Sequence, residues 1–168
     1  MLRGMKLALL AGLCCVGPML GADWPDVKYA AVRAYFYNPA GEHDRHIIDR
    51  SEKLDSTAVN PDGVVLNAGQ VARLLAAING RHRMHPITAC YVPQHAFIFY
   101  NSWGRRVAVL ELGLECLKAS PDPNTAGPYY DFPALAELLH ELGLPLGPKL
   151  RTPRDYRKKY DRMLRSNS

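Results

Sequence analysis

The sequence lacks the motifs that mark several classes of enzyme. It contains no glycine-rich phosphate loop, no Gly-x-Ser-x-Gly and no His-Glu-x-x-His, and no pair of carboxylates stands at a spacing that suggests hydrolysis. A secreted hydrolase would need a nucleophile, a base and an acid together, and the sequence offers no such set. We therefore expect a protein that binds and does not catalyse a reaction.

Long apolar runs are also missing. The apolar run near the N-terminus, residues 7–13, is far shorter than the roughly 20 apolar residues of a membrane-spanning helix. It follows two basic residues and precedes small residues that end at Ala22, which is the arrangement of a secretory signal peptide. We predict that residues 1–22 are removed before Asp23 and that the protein is exported to the periplasm or secreted.

Cysteine is scarce, with four in the whole chain. Cys14 and Cys15 fall within the predicted signal peptide, and Leu13 before them is too large for a lipoprotein cleavage box, so lipid anchoring is the less favoured outcome. Removal of the signal leaves only Cys90 and Cys116. An even pair of cysteines in a protein bound for an oxidising compartment predicts a disulfide.

Acidic residues are few at the C-terminal end. From Lys149 onward there are eight basic and only two acidic residues, while the whole chain has a formal net charge of +5. We therefore divide the mature protein into one domain, residues 23–148, and a basic tail, residues 149–168. Basic and aromatic residues interleave in the tail, which predicts contact with an acidic protein or an anionic surface through Tyr156, Arg157, Lys158, Lys159 and Tyr160. Nucleic acid is not expected as a partner of an exported protein.

Hydrophobic periodicity predicts a small α+β domain. Residues 26–37 alternate between apolar and polar positions, which predicts a half-buried strand, and residues 97–100 and 107–116 flank a turn typical of a β-hairpin. Asn67 and Asp131 each precede an amphipathic stretch as a helix N-cap. We expect an antiparallel sheet, made of the N-terminal strand and the hairpin, packed against these two amphipathic helices.

Three other segments lack such a pattern. Residues 42–62 are polar and show no clear pattern. Within them, residues 43–49 are predicted to form a solvated loop, although His43 and His46 stand beside carboxylates there, and a short strand at residues 46–48 is the alternative. The prolines after Cys116 predict another loop. The last segment, residues 153–165, has helical residues but little apolar periodicity, which predicts a frayed or solvent-exposed helix.

Reactive groups converge only on the predicted hairpin. Its turn geometry brings Cys90 close to Cys116 and places His95 beside Glu111 or the residue before it, so we expect a His95–Glu111 pair across the strands. Three interpretations remain open. They are a structural disulfide, a zinc or copper site of Cys90, His95 and Cys116 with Glu111 nearby, and a nucleophilic Cys90 activated by His95.

Residues 90–100 fit the pattern Cys-x-x-Pro-x-His-x-x-x-Phe-Tyr, and the strand that follows ends at Cys116. This combination resembles a group of small exported bacterial proteins of unknown function, in which the second strand ends in Cys-x-x-Cys. The likeness covers residues 66–116. It implies a similar fold, export from the cytoplasm, and a set of zinc ligands that would include Cys90, His95 and Cys116. Gly113 stands in place of the first cysteine of the last motif, which favours a disulfide over a metal site.

We interpret the chain as an exported, non-enzymatic binding or structural protein of the cell envelope, stabilised by a disulfide between Cys90 and Cys116. The alternative is a metal-binding or thiol-active protein that uses Cys90, His95 and Cys116. The first interpretation requires no cofactor, whereas the metal-binding form of the second requires zinc or copper.

Overall fold

In the described part of the chain, five strands form one antiparallel sheet. The structure, a computed structural model, describes residues 23–85, 89–122, 129–148 and 150–166, and the predicted signal peptide, residues 1–22, lies outside these ranges. The elements in chain order are β1 (Ala31–Phe36), β2 (Val64–Val65), α1 (Ala68–Asn79), β3 (His95–Tyr100), β4 (Arg106–Gly113), β5 (Lys118–Asp122), α2 (Phe132–Glu141) and α3 (Pro153–Ser166). The strand order is β2-β1-β3-β4-β5. The α+β fold predicted from the sequence is confirmed.

One face of the sheet packs against the helices. The alternation predicted for the first strand is confirmed there, because Val32, Ala34 and Phe36 of β1 belong to the core cluster that the helices cover. Burial of each large aliphatic or aromatic side chain stabilises the fold by about 1.5–3 kcal/mol. The other strands and the helices contribute to the same cluster, among others Phe97, Phe99, Leu110, Leu112, Leu74, Ile78, Leu135 and Leu139.

The opposite face of the sheet is covered by the segment that connects β1 to β2. Tyr35, Tyr37, Ile98 and Val109 lie on this side and form a second cluster with Ile47, which has no exposed surface. The prediction of a solvated loop over residues 43–49 is therefore wrong at Ile47. Of the alternative short strand at residues 46–48, the structure has one isolated antiparallel bridge, between Ile48 and Leu54. The polar composition of the segment conceals one short apolar stretch that closes the second face of the sheet.

The predicted starts of the first two helices are confirmed by their caps. The Asn67 side chain accepts a hydrogen bond from the Gln70 amide at 2.9 Å, and the Gln70 side chain accepts one from the Asn67 amide, which completes a capping box. The Asp131 carboxylate accepts from the Ala134 amide at 3.0 Å at the start of α2. Caps of this kind stabilise a helix by about 1 kcal/mol.

The segment after Cys116 contains a strand that the sequence did not predict. β5 pairs antiparallel with β4, and Pro121 lies opposite Leu110 within that pairing. A proline has no amide hydrogen, so it is tolerated only where a strand makes no further pairing, as at the edge of a sheet. β5 is such an edge strand. The prolines signalled a loop, and the position at the edge explains why a strand forms instead.

α3 is part of the folded domain. Tyr156 and Tyr160 are buried in the main core cluster, with 1% and 8% of their surface exposed. The Tyr156 hydroxyl donates to the carbonyl of Leu114 at 3.2 Å, which ties the helix to the end of β4. The expectation of a solvent-exposed helix in the tail is therefore corrected. Within the described ranges, no helix is long and apolar enough to cross a membrane.

Candidate functional site

The Cys90–Cys116 disulfide predicted from the sequence is present at the open end of the β3–β4 hairpin. The two Cα atoms lie 5.7 Å apart, and Cys116 is almost completely buried. Both sulfur atoms are used in this bond, so neither is a thiolate that could act as a nucleophile or bind zinc or copper. Reduction would be required before either alternative chemistry at Cys90 or Cys116 could operate.

His95 does not pair with Glu111, so that prediction is wrong. The residue opposite Glu111 is Ala96, while His95 lies opposite Leu112. The cause is an irregularity between Phe99 and Tyr100, which shifts the register of the strands. A shift of one position moves a side chain to the other face of a sheet. His95 therefore points into the helix-covered core, and Glu111 points to the opposite face.

The core environment of His95 keeps it neutral. Its Nε2 atom donates to the carbonyl oxygen of Pro145 at 2.5 Å, and its ring packs against Phe36 at 5.3 Å between centroids. Nδ1 is buried and has no hydrogen-bond partner among the described residues. Burial lowers the pKa of His95 to about 4, although the bond to Pro145 acts in the other direction. The predicted ligand set of Cys90, His95, Cys116 and Glu111 is thus not brought together.

Glu111 is the centre of a buried polar cluster on the second face of the sheet. Its Oε1 accepts from the Ile47 amide at 2.6 Å and the Tyr37 hydroxyl at 3.2 Å. Its Oε2 accepts from Nδ1 of His46 at 2.7 Å and the Tyr91 hydroxyl at 3.0 Å. A carboxylate has about four lone-pair sites, so these donors satisfy it completely. Burial and the negative charge of Glu111 raise the pKa of Tyr37 and of Tyr91, and both phenols remain donors.

The contact with Glu111 fixes the orientation and the tautomer of His46. Because Nδ1 must carry the hydrogen that Oε2 of Glu111 accepts, neutral His46 has its lone pair on Nε2. The His46 side chain is 56% exposed, in contrast to the carboxylate behind it. Glu111 therefore positions His46 without being accessible itself.

His46 borders a cavity of about 190 Å³ on this face of the sheet. Arg106, Glu111, Ser120 and Asp122 also line it, and the remaining wall is apolar. The Arg106 guanidinium lies 3.8 Å from the Asp122 carboxylate and pairs with Glu52 on its outer side. The cavity thus combines an oriented imidazole, one cation and one accessible carboxylate.

Sequence reasoning missed this cluster because its members come from distant segments. The sequence predicts a solvated loop at His46, and the predicted hairpin register pairs Glu111 with His95. One signal was present, since Glu111 is the only charged residue between Val107 and Leu114 in an otherwise apolar strand. A lone carboxylate in such a strand is buried on one face, where it needs hydrogen-bond donors.

The predicted partner-binding residues of the tail separate into two sets. Tyr156 and Tyr160 are buried and cannot stack on a partner. Lys159 pairs with Glu115 at 3.3 Å, and Arg157 pairs with Glu137 at 3.3 Å. The outer surface of α3 is exposed and mostly basic: Arg154, Arg157, Lys158, Arg162 and Arg165 lie there with the two acids Asp155 and Asp161.

Gly113 has no room for a side chain. A Cβ atom at this position would lie 2.9 Å from the carbonyl oxygen of Val92. That contact is with backbone, so the segment before β3 would have to move to accept a side chain.

Comparisons with known proteins gave no match for the chain. No family model matched, and searches of curated proteins and of solved structures likewise found none. Among the described residues, no three His, Cys, Asp or Glu side chains are grouped so that they could hold a metal ion.

Proposed function

We propose that this is an exported protein that binds an anionic lipid surface of the cell envelope through the outer face of α3. The observation that carries the proposal is the one-sided charge of this helix. Five basic side chains recur at helical spacing on its exposed surface, with two acids among them: Arg154, Arg157, Lys158, Arg162, Arg165, Asp155 and Asp161. The role is binding and includes no chemical step.

The helix holds these charges in a fixed arrangement. Tyr156 and Tyr160 on its inner face are buried in the core, so the outer face is presented on one side of the domain. Each basic side chain close to an anionic membrane surface contributes about 1 kcal/mol of binding free energy. Because the folded helix already holds several basic side chains together, binding costs no further backbone entropy, and their contributions add to the affinity for the membrane.

Export is supported by the disulfide and by the N-terminal residues. Disulfides form and persist in oxidising compartments and are rare in the cytosol. The sequence of residues 1–22 has the pattern of a secretory signal. The resemblance of residues 66–116 to small exported proteins supports the same compartment.

The test is co-sedimentation of the disulfide-bonded protein with lipid vesicles. We expect binding to vesicles that contain phosphatidylglycerol, little binding to phosphatidylcholine alone, and a loss of binding as salt is raised. Lys158 and Arg162 are both exposed and lie one helical turn apart. Changing both to glutamine should remove about 2 kcal/mol, a drop in affinity of roughly thirtyfold.

A matched control removes two exposed basic residues elsewhere. Lys28→Gln with Arg105→Gln changes the net charge equally but leaves α3 untouched, and it should bind the vesicles almost as the unaltered protein does. Equal losses in the two double variants would show that only net charge matters. Absence of binding to anionic vesicles would reject the proposal.

A further inference from the structure

The cavity beside His46 lies on the face of the sheet opposite the helices. Glu111, Tyr37 and Val109 belong to this second face, whereas α3 packs on the first. The proposed lipid-binding surface and the cavity are therefore separate, and each can be altered without the other. A volume of about 190 Å³ corresponds to about six water molecules at ~30 Å³ each. A small molecule of that size could occupy it.

Glu111 does not offer its charge to a ligand, because its oxygens are already satisfied by four donors. Its effect on the cavity is to fix His46. With Nδ1 bound to Glu111, the polar atom that neutral His46 has left is Nε2, a hydrogen-bond acceptor. An acceptor at this position favours a ligand with N–H or O–H donors.

Arg106 and Asp122, which form the rim of the cavity, have opposite charges and make no direct hydrogen bond to each other. The Arg106 and Asp122 side chains lie 3.8 Å apart, which is too far for a hydrogen bond. Glu52 and Asp122, the acids next to Arg106, are about three-quarters exposed. The direct partner of Arg106 is Glu52. Exposed ion pairs contribute little to stability, so a ligand carboxylate can replace Glu52 at small cost while Asp122 stays in place.

The remaining wall is hydrocarbon. Ile47, Ile48 and Val109 line the cavity beside the polar groups. An apolar wall next to one cation, one carboxylate and one acceptor nitrogen matches a small molecule that carries both charges and a short hydrocarbon group.

We propose that the cavity binds a small zwitterion of the amino-acid class with a short aliphatic side chain. The ligand carboxylate pairs with Arg106, and its ammonium group donates to Asp122 and to Nε2 of His46. The side chain packs against Ile48 and Val109. Glu111 is a positioning residue in this arrangement, since it holds the His46 ring but does not touch the ligand.

Isothermal titration calorimetry with three probes of nearly equal size tests the proposal. L-Valine carries both charges, L-valinamide keeps the ammonium group alone, and isovalerate keeps the carboxylate alone. We expect saturable binding of L-valine and an affinity at least about tenfold lower for each of the other two, because each loses one charge-assisted hydrogen bond. No saturable binding of L-valine, or equal binding of all three probes, would overturn the proposal.

Variants at the rim locate the binding site. Arg106→Gln and Asp122→Asn each remove one charge with little change in size, and each should weaken L-valine binding by about tenfold or more. Arg105→Gln is the matched control, because the exposed Arg105 is adjacent in sequence but does not line the cavity. Thermal melting checks that each variant is folded. An unchanged affinity of the folded Arg106→Gln variant for L-valine would overturn the assignment. The double variant Lys158→Gln with Arg162→Gln should bind L-valine as the unaltered protein does.

Discussion

Nδ1 of His46 donates a 2.7 Å hydrogen bond to Oε2 of Glu111, although the two residues are 65 positions apart in the chain. Together with the Ile47 amide, which binds Oε1 of the same carboxylate at 2.6 Å, this contact attaches the segment between β1 and β2 to β4. One buried charge therefore has two roles. It closes the second face of the sheet, and it orients the histidine beside the cavity.

Glu111→Gln should destabilise the protein by about 3 kcal/mol. The amide nitrogen would face hydrogen-bond donors and leave at least one of Tyr37, Tyr91, His46 and Ile47 without an acceptor. Urea unfolding followed by circular dichroism measures the change. Glu141→Gln is the control, because Glu141 lies on the surface of α2 and pairs with Arg73, and its loss should cost under about 1 kcal/mol. Equal stability of the two variants would contradict the role assigned to Glu111.

Local patterns predicted most of the architecture. The capping box at Asn67 and the alternation of β1 depend on residues close in sequence, and both were confirmed. The hairpin was also predicted, but its register was wrong by one or two residues because a bulge near Tyr100 carries no clear signal. That error predicted a pair of His95 and Glu111, although the two side chains lie on opposite faces of the sheet.

The candidate site was harder to predict for a physical reason. Three of the four donors to Glu111 come from the segment 37–47, and the fourth is the hydroxyl of Tyr91. None of them belongs to the hairpin strands, so only the folded sheet brings them together. β5 was hidden by Pro121, since the sequence does not show that its strand lies at an edge. α3 was hidden because charged residues surround the two tyrosines that it buries.

Tyr156 should be essential to stability, although it lies in a strongly basic segment. Tyr156→Ala removes a ring that is 99% buried together with its bond to Leu114, and it should cost about 3–5 kcal/mol. Tyr156→Phe removes only the hydrogen bond and should cost about 1 kcal/mol. Lys158→Ala, two residues along on the exposed face, should change stability by under about 0.5 kcal/mol. Chemical unfolding compares the three variants, and a small effect of Tyr156→Ala would instead support the prediction of a frayed or solvent-exposed helix.

The disulfide should be complete in mature protein and should contribute to stability. Its sequence separation of 26 predicts a stabilisation of about 3–4 kcal/mol from loop closure in the unfolded chain. Protein purified from the periplasm without reductant should show no free thiol at Cys90 or Cys116. Cys90→Ser should lower the melting temperature, and reductant should have that effect on the unaltered protein but not on the variant. Two titratable thiols, or an unchanged melting curve, would contradict this prediction.

His95 should make stability depend on pH. Burial lowers the pKa of His95 in the folded protein to about 4, while a histidine in an unfolded chain has a pKa of about 6.5. Between these pH values the unfolded state binds a proton that the folded state does not, so the free energy of unfolding falls as the pH falls. The contribution is complete above pH of about 6.5, and at most about 3 kcal/mol is lost by pH of about 4.

His95→Gln tests this dependence, because glutamine can still donate to Pro145 but does not titrate. The variant is expected to be less stable near neutral pH through poorer packing, so the slope of unfolding free energy against pH is the informative quantity. Urea unfolding at several pH values between about 4 and 6.5 should give a shallower slope for His95→Gln than for the unaltered protein. His140→Gln, at an exposed position of α2, should leave the slope nearly unchanged. Parallel slopes for His95→Gln and the unaltered protein would show that His95 is accessible to protons in the folded state, contrary to its burial in the core.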